Sequence, residues 1–221
     1  MADQRVEKWS RWIDGTIKNN VLTMHLHRYA WREVAAVLEG NPSLPESYWW
    51  EFMLDTYATT QAVAVRRQAD PHPDAASLRN LVEEIGEDPG RLTLEFWLGL
   101  WNDASDPIER QIAQRQWSEH FGGAVGAHLD PSIPSADPHL LADAATSIRG
   151  YVDRNVAHAQ SSAVPSEVTL KVADLHAAID VIGEVFRRYY GLLTASTMYD
   201  LVPMIQDDWK AIFRMPWDAQ A

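Results

Sequence analysis

One stretch of this 221-residue chain holds the residue types that phosphodiester chemistry needs: Ile148-Arg149-Gly150-Tyr151-Val152-Asp153-Arg154-Asn155-Val156-Ala157-His158. On a helix, Arg154 and His158 stand four apart and share a face. The apolar stripe of that helix is Leu141, Ala145, Ile148 and Val152. At 100° per residue the Arg and the His lie more than about 100° off the stripe, turned towards solvent or a partner. A guanidinium holds and neutralises a phosphate. An imidazole moves protons near neutral pH. RNA carries its own nucleophile, the 2′-hydroxyl, so such a pair needs no metal in principle. His158 is then the acid or base and Arg154 the phosphate clamp, with Arg149, Tyr151 and Asn155 beside them. Asn155 lies near the apolar stripe and so needs a buried hydrogen-bond partner.

Other candidates have bland alternatives. Arg66-Arg67 closes a helix, where cations suit the dipole, yet an Arg pair also forks a phosphate. Arg187-Arg188-Tyr189-Tyr190 has the same two readings. His25-x-His27 does not read as a metal site, because residues two apart on a helix point about 200° away from each other. No Glu-x-x-His or His-Glu-x-x-His spacing occurs, and no metal or other cofactor is expected. Gly122-Gly123-Ala124-Val125-Gly126 lacks the preceding strand and the Lys-Ser/Thr ending of a phosphate loop. Ten Trp could stack on bases, but Trp9, Trp12, Trp31 and Trp49 fall at core spacing.

Composition narrows the classes. With 19 Lys plus Arg against 31 Asp plus Glu, the net charge is −12, which argues against a generic polyanion coat while leaving room for a narrow basic cleft. The absence of Cys removes disulfides, thiol catalysis and Cys-based zinc sites. The residues after Met1 are polar, unlike a signal peptide, and no apolar run reaches the length of a membrane span. A cytoplasmic protein is the expectation.

The elements that must position these residues are helical nearly throughout. A stripe of Val6, Trp9, Ile13, Ile17, Val21, Met24, Arg28, Trp31, Val34 and Leu38 predicts helix over 4–38, loosened at Gly15 and stopped by Gly40-Asn41-Pro42. Ser43-Leu44-Pro45-Glu46 has the form of a capping box for a helix carrying Trp49, Phe52, Met53, Tyr57, Thr60, Ala64 and Arg67 on one face. Asp70-Pro71-His72-Pro73-Asp74 breaks it. Short helices follow over 77–85 and 93–102, then one from Asp106-Pro107 to about Phe121. Residues 122–136 read as a long surface loop or hinge. Asp137-Pro138 opens a helix to about Ala159, 160–166 is a polar loop, and a long helix covers 169–194. The tail 196–221 packs irregularly through Trp209, Phe213 and Trp217. The fold class is all-α, read as one domain over 1–221.

With these residues in view, the chain resembles the HEPN domains, and more closely the AbiU-type abortive-infection HEPN family. The resemblance rests on Leu26-His27-Arg28-Tyr29-Ala30-Trp31-Arg32-Glu33, on Val65-Arg66-Arg67 through Asp70, and on Ser77-Leu78-Arg79-Asn80-Leu81. Later in the chain it rests on Tyr151 to His158, Arg188-Tyr189-Tyr190-Gly191-Leu192-Leu193-Thr194, and Asp208 to Arg214. It implies a HEPN-like helical bundle with extra short helices, a homodimer, and Arg and His lining a cleft that cuts or binds RNA without metal. It also implies a role in phage defence or as a toxin with an antitoxin or defence partner. The alternative is a degenerate HEPN-like dimerisation module. The family motif places four to six residues between Arg and His. Counted back from His158 the usual Arg position falls at Val152, with Arg154 nearer and Arg149 farther than the usual spacing.

Overall fold

The computed structural model describes residues 3–41, 48–101, 106–122, 126–153 and 170–214. Helix α1 (Gln4–Trp12) starts at Asp3, whose carboxylate accepts from the Arg5 amide at 2.9 Å, the usual remedy for a helix's first unpaired N–H groups. A π turn over Ile13–Ile17 joins it to α2 (Lys18–Glu39). That wider turn falls around Gly15, the weak point expected from the sequence. It carries the stripe through without a break: Val6, Trp9, Ile13, Ile17, Val21 and Met24 are all buried.

Helix α3 (Tyr48–Gln68) and α4 (Leu78–Glu87) follow. Ser77 caps α4 by accepting from the Asn80 amide at 3.1 Å and donating to the Asp70 carbonyl at 2.7 Å. The proposed capping box at 43–46 lies outside the described residues. The expected inner face of α3 needs correcting. Trp49, Phe52, Thr60 and Arg67 are exposed; Tyr57 is buried as expected, and Gln61, Ala62, Val65 and Gln68 are buried with it. Gln61 and Gln68 look like outward residues by type, but each meets a backbone group inside. Gln61 donates to the Met24 carbonyl (3.3 Å), and Gln68 accepts from the Leu78 amide (3.3 Å).

A 3-10 turn (Pro89–Arg91), α5 (Leu94–Leu98) and α6 (Pro107–His120) build an aromatic cluster in which Trp97 meets Trp117 and Phe121 at 6.0 Å. Among the described residues a single bridge between Thr93 and His128 is the one β pairing.

The loop expected over 122–136 ends sooner. Helix α7 runs Ser132–Ala144 and α8 runs Thr146–Val152. The start signal is Asp130-Pro131 rather than Asp137-Pro138, because the Asp130 carboxylate takes the Ser132 amide at 2.9 Å. Asp137 and Pro138 lie within α7, and Asp137 faces inward. The single helix expected from Asp137 to Ala159 is also divided, at Ala145 (φ −89°, ψ −2°).

Helix α9 (Val172–Thr194) is the central rod. It buries Leu175, Ile179, Ile182, Phe186, Tyr189 and Leu193 and packs against α2, α3 and α7. Beyond it the chain is irregular up to a 3-10 turn at Trp209–Arg214, where Lys210 pairs with Glu33 of α2. No described helix is long and apolar enough to cross a membrane.

Candidate functional site

Helices α3 and α8 pack on each other and bring part of the sequence-derived constellation together. Ile148 and Val152, four apart on α8, are buried. That anchors the helix and brings Tyr151 against α3, where its hydroxyl meets Thr59 Oγ1 at 3.3 Å. Arg66 sits two turns along from Thr59 on the same face of α3 and pairs with Asp153 at 3.1 Å. Asp153 immediately precedes Arg154, so the ion pair holds the chain at the point where the Arg154–His158 segment begins. Arg66 is half-exposed in this ion pair, its side chain 43% accessible.

Arg149 is half-buried on α8, and its Nη2 is buried with no hydrogen-bond partner among the described residues, an arrangement that costs free energy. Val152, where the family motif has Arg, is 2% exposed and belongs to the core. Arg154, Asn155 and His158 lie outside the described residues. Arg67 is not part of the α3–α8 contact: it is exposed and lines a groove between α2 and α3 together with His27.

The other arginine candidates turn out to be structural. Arg188 binds both oxygens of the buried Asp137 at 2.5 and 2.6 Å, and Tyr189 donates to the same carboxylate at 3.0 Å. Arg187 donates to the carbonyls of Met198 and Tyr199. Arg188-Tyr189 thus ties α9 to α7.

A polar cluster that sequence reasoning did not assemble lies between α2, α3 and α9. Arg28, 8% exposed, donates to Asp180 at 2.5 Å and to the His176 carbonyl at 3.2 Å. It also lies 3.1 Å from His25 Nδ1. Arginine can only donate, so Nδ1 is the acceptor and His25 is neutral with its proton on Nε2. Burial, then the Arg28 charge, brings the His25 pKa down to about 4. Tyr57 and His176 Nε2 meet at 2.7 Å. Burial pushes the Tyr57 hydroxyl up to about 12. His176 is lowered by burial first, then by Arg32 and Arg28. Trp31 stacks on Tyr57 at 4.9 Å. The helical stripe did place Arg28 inward, but nothing local announced Asp180 as its partner. His25 is buried and His27 exposed, so the two imidazoles face different surroundings.

The sequence model of the HEPN family described as AbiU2 matches residues 7–212. No curated protein and no solved structure gives a significant match.

Proposed function

Because the chain belongs to the AbiU2 family of HEPN proteins, we propose that it is a metal-independent endoribonuclease or RNA-binding effector working in phage defence or as a toxin. The observation that carries this reading is the buried Arg149 Nη2, without a partner among the described residues, on the helix leading into Arg154–His158. It is a phosphate-type donor beside an Arg/His segment. In the reaction, the 2′-oxygen bonds to phosphorus as its proton passes to a base. The P–O5′ bond breaks and the 5′-oxygen receives a proton. The products are a 2′,3′-cyclic phosphate and a 5′-hydroxyl. His158 moves these protons, while Arg154 and Arg149 neutralise the charge that builds on the phosphate oxygens. Tyr151 and Asn155 orient the segment, and the Arg66–Asp153 pair holds its entry.

Family resemblance also supports a homodimer. The exposed aromatic start of α3 suits that role: Tyr48 is 81%, Trp49 50% and Phe52 53% exposed, the kind of apolar patch that marks an interaction surface.

The test is cleavage of end-labelled structured RNAs in EDTA by the wild type and by His158→Ala. Cyclic-phosphate ends, with a rate loss of about 100-fold or more in the variant, are expected. Equal cleavage by both proteins would overturn the role of His158.

Val152 favours a second reading, a dimerisation module that has lost its chemistry. It predicts a folded oligomer that cleaves no RNA class. Val152→Arg is a poor discriminator, because it would bury an unpaired charge in the core.

A further inference from the structure

A groove of about 390 Å³ runs between α2 and α3, within the volume range of ligand sites. Asn20, Thr23 and His27 line it from α2, and Thr59, Thr60 and Arg67 from α3. His27 and Arg67 are exposed, and neither makes an ion pair or hydrogen bond among the described residues. None of the groove's lining residues is a carboxylate, in a chain of net charge −12. Two other surface depressions mix both signs of charge: Asp200, Asp207 and Asp208 with Lys210 line one, and Asp3 and Glu7 with Arg11 and Arg91 the other. The floor holds Met24, Val63 and Ala64, apolar enough for a sugar or base. Gln61, 1% exposed, also lines the groove, and its buried Oε1 has no hydrogen-bond partner among the described residues, while its amide end donates to the Met24 carbonyl. Thr59 forms a wall of this groove and also meets Tyr151 of α8. The groove therefore borders the helix that leads to Arg154–His158.

We propose that the α2–α3 groove binds single-stranded RNA flanking the scissile bond, with Arg67 and His27 on its phosphates. The site rests on the proposed ribonuclease reading for its biological sense but makes its own binding prediction. Donors without acidic neighbours, over an apolar floor, match a phosphate–sugar–base repeat. Arg67 supplies the planar fork for phosphate oxygens. RNA lying in the groove would run past Thr59 towards Tyr151 of α8.

The probe is a labelled 2′-O-methyl oligonucleotide of mixed sequence, which cannot be cleaved because the nucleophile is blocked. Binding is read by fluorescence anisotropy over a salt series. Arg67→Ala and His27→Ala are compared with Arg115→Ala, an exposed arginine on α6. Arg67→Ala should weaken binding roughly tenfold and flatten the salt dependence by about 0.7 in log–log slope, one phosphate contact. His27→Ala should weaken it less, and Arg115→Ala should leave it unchanged. Unchanged binding in both groove variants overturns the proposal, as does an equal loss in Arg115→Ala. Displacement of the oligonucleotide by an acidic peptide at equal concentration would assign the groove to a protein partner and also overturn it. Absence of RNA cleavage alongside groove-dependent binding would remove the ribonuclease reading and leave the groove standing. Cleavage that depends on His158 without groove-dependent binding would do the reverse.

Discussion

The arginines of this protein fall into two regions that treat charge differently. Where they contact α9 or lie on it, they are consumed by the fold. Arg28 is shared among Asp180, the His176 carbonyl and His25, and Arg188 grips a carboxylate that is itself 1% exposed. Around the α2–α3 groove and on α8 the pattern is more open, although Arg66 of α3 pairs with Asp153. Arg67 and His27 have no partner among the described residues, and one buried nitrogen of Arg149 has no acceptor. Taking a charge out of water is tolerable only when it is paired. A paired, buried arginine therefore reports on packing. An arginine left unpaired beside a groove remains available to a ligand. The difference sorts residues of one type into paired and unpaired sets without reference to their order in the chain.

The largest expected effect lies in the paired region. Asp137→Ala leaves Arg188 and the buried Tyr189 hydroxyl without their acceptor. It should cost roughly 3–5 kcal/mol in urea unfolding, towards the lower end because Arg188 is 41% exposed and can rehydrate. A loss below about 1 kcal/mol would break the contrast.

Acid should act through the same region. The folded His25 pKa, about 4, lies below its ordinary 6.5. The unfolded chain therefore takes up a proton first as pH falls. Stability from this group is complete above pH 6.5, declines between 6.5 and 4, and is level below. The loss is on the order of 3 kcal/mol. His176, also lowered, acts in the same direction. His25→Asn should flatten that part of the pH–stability curve, and an unchanged slope would contradict the neutral, buried His25.

Next in size is Gly183→Ala. A methyl there would meet His25 Nε2 at 2.7 Å and Leu201 Cδ1 at 3.0 Å, and overpacking of this kind costs about 1–3 kcal/mol. Arg66→Ala removes a half-exposed ion pair and should cost less than about 1 kcal/mol. Arg67→Ala, at the unpaired end of the comparison, should leave melting within about 0.5 kcal/mol of wild type while weakening RNA binding. A large stability loss there would place Arg67 with the structural arginines.

Much of the helical order was readable because apolar spacing and caps are local signals. The stripe from Val6 to Met24, the cap at Ser77 and the Asp106-Pro107 start need only near neighbours to interpret. The errors arose where a distant partner decided the outcome. Asp137-Pro138 has the form of a helix start, yet Arg188 and Tyr189 of α9 draw Asp137 inward and α7 continues around it. Trp49 and Phe52 are core residues by type, but α3 turns Gln61 and Gln68 inward because backbone groups of other segments meet them there. The same logic governs the site. The Arg149–His158 stretch was visible as contiguous residues, and family resemblance pointed to the same place. The α2–α3 groove was not, because His27 and Arg67 are far apart in sequence and meet only once the helices pack. His27 drew notice as half of a metal pair and within the Leu26–Glu33 stretch of the resemblance, never beside Arg67. Thr59 had a local clue, its position seven residues before Arg66 on one helical face.

The central claim, that unpaired cations beside α8 serve RNA while paired ones serve the fold, is tested most directly with Arg149→Gln. RNA cleavage in EDTA and thermal unfolding would be measured on the same preparation as wild type. The account predicts that wild type cleaves, that the variant loses at least about tenfold in rate, and that its unfolding midpoint shifts by no more than a few degrees. Equal cleavage by both proteins, or no cleavage of any RNA class by folded wild type, would contradict it.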